Sequence, residues 1–101
     1  MRFKVEQHPS VVWFVKRECD ETTRRAYYAK LDEVRSDPIT NSVLAFDPKG
    51  KRPALRRFYF AHLIAVFEID LWRETLRVLE CRRPSKPTPG DGANRDRPAN
   101  G

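Results

Sequence analysis

Residues 54–83 read ALRRFYFAHLIAVFEIDLWRETLRVLECRR, a stretch with neither glycine nor proline. Two folds compete for it. Leu55, Phe58, His62, Ala65, Ile69, Trp72, Leu76 and Leu79 recur at heptad spacing, which would make one long helix able to pair as a coiled coil. Against the helix, Phe58-Tyr59-Phe60 and the run from Leu63 to Ile69 are dense in aromatic and β-branched residues, which pack well on a pleated surface. Leu76, Val78 and Glu80 also alternate with Arg77, Leu79 and Cys81, the period expected of a strand. Composition therefore favours strands, although the glycine-based turn that usually marks a hairpin is missing.

Upstream, Phe3 to Gln7 alternates apolar and polar residues as a short strand does, and Pro9 is expected to close it. Ser10 is the expected cap of a helix over Val11 to Cys19, where Val12, Val15 and Cys19 recur at helical spacing beside Trp13 and Phe14. Asp20 caps a second helix whose stripe is Tyr27, Leu31 and Val34, ending at Ser36-Asp37-Pro38. The pair makes a helical hairpin. Downstream, residues 84–101 carry four Pro and three Gly with only Ala93 and Ala99 as apolar residues, so this segment is read as a disordered tail. The expected folded domain is residues 1–83.

The whole chain has 101 residues, 20 Lys+Arg against 14 Asp+Glu, and a net charge of +6. One small core is all that this length supports, since such a chain buries only about 60 to 65% of its unfolded surface. A dinucleotide-binding α/β enzyme is excluded. No apolar run approaches the roughly 20 residues needed to span a bilayer, and Val11 to Val15 is too short for an export signal. A cytoplasmic location is expected. Cys19 and Cys81 allow one disulfide at most, and with His8 and His62 they lack the close spacing of a metal site, so neither metal nor cofactor is expected.

The charge has a local focus. Lys49, Lys51, Arg52, Arg56 and Arg57 follow one another with no acid among them, a density suited to successive phosphates. On a strand Arg57 and Tyr59 share one face, where Tyr59 would stack a base beside a phosphate-holding arginine, while Arg56, Phe58 and Phe60 share the other. The competing reading makes these arginines ordinary solvated charges and Tyr59 a core residue. His62 has the chemistry for proton transfer but reads as a solvent-facing turn residue. Trp13, Tyr27, Tyr28 and Trp72 read as core or edge packing.

The helix run HPSVVWFVKREC, the helix TTRRAYYAKLDEVRSDP, the strand pair ALRRFYFAHLIAVFEID and the closing RVLECRR together resemble the RelE/ParE superfamily of toxins from bacterial toxin-antitoxin pairs, over residues 3 to about 83. The resemblance implies an α+β fold, a small antiparallel sheet packed on an N-terminal helical hairpin. It also implies a strand hairpin turning at Ala61-His62. Such toxins either cleave messenger RNA on the ribosome or inhibit DNA gyrase, and an acidic antitoxin neutralises both kinds. On the cleavers' pattern Arg57 matches the second-strand base and Arg82 or Arg83 the arginine after the last strand. Ile64 stands where an arginine would be expected, and no Tyr or His follows Cys81. Tyr59 is the substitute that remains. The expected site is thus Arg57, Tyr59, Arg82 and Arg83, with Lys49, Lys51, Arg52 and Arg56 steering RNA. Two alternatives stay open, a non-catalytic inhibitor of gyrase or another protein and a non-catalytic nucleic-acid-binding module.

Overall fold

The computed structural model describes residues 2–47 and 53–84, which fold into two helices against a five-stranded sheet. In chain order the elements are β1 (Lys4–Gln7), α1 (Pro9–Arg17), α2 (Glu21–Ser36), β2 (Val43–Phe46), β3 (Leu55–Phe60), β4 (Leu63–Asp70) and β5 (Thr75–Arg82). The sheet runs β1-β5-β4-β3-β2, antiparallel throughout except where β1 lies parallel to β5. The heptad over 54–83 is not a helix. Its members scatter over three strands and their turns because β-branched and aromatic density decides here over the seven-residue spacing. Lys49, Lys51 and Arg52, and the tail from residue 85, lie outside the described residues.

The cap of α1 sits two residues earlier than expected. His8 is extended, its Nδ1 accepts the Ser10 N–H at 3.1 Å, and Pro9 occupies the first turn. Proline fits there because its fixed φ is helical and its missing N–H would have had no partner. Pro9 therefore starts a helix as well as ending a strand. Asp20 caps α2 as expected, Oδ1 accepting the Thr23 N–H at 2.8 Å. Arg24, one turn into α2, reaches back and donates to the carbonyls of Val15, Lys16 and Cys19 at 3.2, 3.2 and 2.9 Å. Those groups, at the end of α1 and just beyond it, would otherwise face only water.

One face of the sheet packs on the helices. Val11, Val15, Tyr27, Leu31 and Val34 meet Phe58, Phe60, Leu63, Ala65, Phe67, Leu76 and Val78 in a single core. Tyr27 anchors it: the ring lies 5.0 Å from Phe60 and 6.2 Å from Phe58, and its hydroxyl donates to Gln7 Oε1 at 2.7 Å. Of the four aromatics expected to pack, only Tyr27 is buried; Trp13 and Tyr28 are half-exposed, and Trp72 is 98% exposed in the β4–β5 turn.

Three local features shape the sheet. The β3–β4 hairpin closes with Phe60 opposite Leu63, so Ala61-His62 is the turn, and Ala61 takes φ 53° where glycine is usual. Strand β2 is an addition to the four expected strands; VLAF is exposed at every position and lacks alternation, so no pattern announces it. In β5 the register passes from Val66↔Glu80 to Phe67↔Val78, leaving Leu79 as an extra residue. The bulge breaks the simple alternation: Leu76, Val78 and Cys81 face the helices, while Glu80 joins Arg77 and Arg82 on the other side.

Candidate nucleic-acid interface

The sheet face turned away from the helices holds the site. Opposed residues share a face, so the register lays out rows across the strands. One row is Val43, Arg57, Val66 and Glu80; the next is Tyr59, Ile64 and Arg82. Ile64 and Val66 are buried at 6% and 9% although they stand outside the helix-side core. The result is an apolar floor on β4 with Arg57 and Tyr59 along one side and Glu80 and Arg82 along the other, two strand spacings or about 10 Å away.

The arginines on this face differ in their partners. Arg77 is neutralised by Glu6 at 3.3 Å and Asp70 at 3.1 Å. Arg82 Nε pairs with Glu80 Oε2 at 2.8 Å, both side chains about half-exposed. Among the described residues Arg57 has no carboxylate partner and its buried Nε no hydrogen-bond acceptor; its guanidinium carbon lies 5.7 Å from the centre of the Tyr59 ring. A buried donor left without an acceptor is costly and marks where an acceptor would be held. Tyr59 is 48% exposed, which answers the competing reading of it as core.

Arg56 points to the other face, as alternation expects. There Nε donates to Ser42 Oγ at 2.7 Å and Nη2 to the carbonyls of Ile39 and Ser42 at 3.3 and 3.2 Å, pinning the 38–42 turn to the sheet. Arg83 follows the strand and lies toward the end of α1, where its charge, with that of Arg24, opposes the burial that raises the Cys19 thiol pKa. Burial also pushes Cys81 up to about 12, so both thiols are held protonated and neither serves as base or nucleophile. Arg82 rather than Arg83 therefore shares a face with Arg57 and Tyr59. His62 is exposed in its turn.

Sequence reasoning missed Glu80. Strict alternation put it on the helix side; only the Leu79 bulge turns it outward, beside Arg82. Among the described residues no three His, Cys, Asp or Glu converge as metal ligands, and no helix is long and apolar enough to cross a membrane.

No protein-family model matches the sequence, and no curated protein matches it. Solved structures do match in shape. RelE from the Pyrococcus horikoshii RelE–RelB complex superposes with a TM-score of 0.70 at 13% identity, over 82% of this chain and 96% of that one. The isolated Escherichia coli RelE toxin gives 0.69 at 14% identity, over 90% and 94%. A chain of the Mycobacterium tuberculosis RelBE2 toxin-antitoxin complex gives 0.65 at 10%, over 83% and 100%. The order of elements, the helical hairpin and the mostly antiparallel sheet agree across most of each molecule, and the chain has the RelE toxin fold.

Proposed function

We propose that this chain is the toxin of a toxin-antitoxin pair and acts on messenger RNA at the ribosome, gripping a phosphate between Arg57 and Arg82. The observation that carries the reading is the unpartnered Arg57 Nε beside a half-exposed tyrosine, on the face that also holds Arg82. Cleavage of RNA needs the 2′-hydroxyl to lose its proton, the negative charge at phosphorus to be held, and the leaving oxygen to be protonated. Guanidinium groups hold charge but are poor bases near neutral pH. Glu80 supplies the base: its carboxylate takes the 2′-hydroxyl proton as that oxygen attacks phosphorus, the bond to the 5′-oxygen breaks, and this oxygen takes a proton from solvent. Arg82 Nε, 2.8 Å from Glu80 Oε2, orients that carboxylate. The Tyr59 ring stacks a neighbouring base.

The partner in this reading is an acidic antitoxin. The folds it resembles are crystallised with RelB, and a basic body with exposed apolar residues on β2 suits such a segment. A second reading, inhibition of gyrase or another protein without catalysis, draws on the apolar floor of Ile64 and Val66, where a fully cationic cradle would be more usual. Induction of the chain in a bacterial host separates the two. Growth arrest with new 5′ ends inside translated messages supports RNA cleavage; arrest with loss of supercoiling and intact messages supports the second reading. RNA binding without arrest would reduce the chain to a nucleic-acid-binding module.

A further inference from the structure

Strand β2 begins at Val43, opposite Arg57, so it covers only part of its neighbour. Beyond that point no strand among the described residues pairs with the edge of β3 at Phe58 and Tyr59, and an open cleft of about 270 Å³ lies against it. Lys30 of α2 stands on one wall, Thr40 and Asn41 of the following turn on a second, and Val43, Arg57 and Tyr59 on the third. The cleft thus wraps the sheet edge, from the helix side to the outer face that carries the site described above.

Each wall has a distinct chemistry. Among the described residues Lys30 makes one ion pair, to Glu33 at 3.4 Å, and an ammonium has three donors. Arg57 contributes the buried Nε with no acceptor. Asn41 spends its amide nitrogen on the Glu33 carbonyl at 2.9 Å, which fixes the side chain and leaves its oxygen to accept. Tyr59 has the Arg57 guanidinium near its ring and is still half-exposed. A cleft with a cation on two walls, a fixed amide acceptor and an aromatic ring suits a nucleotide. It suits an extended peptide poorly, because the bare edge spans only the last residues of β3, too few for strand addition.

We propose that this cleft is a nucleotide subsite, taking one unit of single-stranded RNA next to the scissile position, with its phosphate between Lys30 and Arg57 and its base against Tyr59 and Asn41. The inference rests on the RNA reading above and extends it to the bare edge of β3. Lys30, remote in sequence from the basic run, becomes a positioning residue for substrate.

The test uses the purified full chain and a labelled hexanucleotide of single-stranded RNA, with binding followed by fluorescence anisotropy across a salt series. Lys30→Met keeps the aliphatic stem and removes the charge. It should weaken binding several-fold and reduce the salt slope by about 0.7, one phosphate contact on a single strand. Lys16→Met, an exposed lysine on α1, should change neither. Wild-type binding by Lys30→Met together with weakened binding by Arg57→Gln overturns the subsite while leaving the RNA reading in place. Wild-type binding by both variants overturns the two together. Equal losses in Lys30→Met and Lys16→Met would mean only general attraction and also overturn the subsite. Melting temperatures within a few degrees of wild type confirm that each variant is folded; for Lys30, should it not be, Lys30→Gln replaces it in the same assay.

Discussion

At the scale of single residues, the site turns on which arginines are already satisfied. Arg77 and Arg82 have carboxylate partners, and Arg57 has none among the described residues. Arg57→Gln should therefore cost roughly 10²-fold or more in cleavage rate with a smaller loss of RNA affinity, the mark of a contact made mainly in the transition state. Equal losses in rate and affinity would assign Arg57 to positioning. Glu80→Gln should cost roughly 10²-fold or more in cleavage rate while leaving RNA binding intact; a wild-type rate would remove Glu80 as the base. Ala61 offers a test away from chemistry. Its φ of 53° is costly for a residue with a Cβ, so Ala61→Gly should leave stability unchanged or raise it by up to about 1 kcal/mol in a denaturant titration. A clear loss would mean that the turn favours alanine.

At the scale of elements, termini carry much of the order. The Thr23 backbone N–H holds the Asp20 carboxyl below the usual carboxylate range, and the Arg73 backbone N–H, opposed by some desolvation and helped by Arg77, does the same for Asp70. A carboxyl whose pKa is lower folded than unfolded stabilises the protein fully above the unfolded value, and that contribution is lost as pH falls through the folded one. Thermal stability should thus fall below about pH 4, the ordinary carboxylate value, and Asp20→Asn should flatten part of that dependence. Arg24→Ala strips three carbonyls at the end of α1 of their donor and should cost roughly 1 to 2 kcal/mol, since these are charge-assisted bonds at a partly exposed site. What was legible at this scale follows from burial. The Tyr27, Leu31 and Val34 stripe and the β3 alternation placing Arg57 beside Tyr59 could be read because one face of each is buried. Strand β2 could not, since none of its residues is buried, and neither could the choice of Arg82 over Arg83 nor the outward turn of Glu80, because both depend on a bulge that period-two counting passes over.

At the scale of the molecule, the helices and sheet share one core, and losing its centre should be felt everywhere. Phe67 is fully buried against Phe58, and Phe67→Ala should cost about 3 to 5 kcal/mol, enough to unfold much of a domain of this size near physiological temperature. If the proposed acidic partner binds, the +6 charge predicts that the complex weakens as ionic strength rises. The parallel pairing of Lys4 with Thr75 sets an order of events. Among the described residues β1 has its only sheet neighbour in β5, so nearly the whole domain must be synthesised before the N-terminal edge can be seated, which closes a loop of about seventy residues. A chain halted before Thr75 lacks β5, and with it Glu80 and Arg82. On the RNA-cleavage reading, a partial product of translation would then lack one side of the site, and activity would wait until the chain had been made through Arg82.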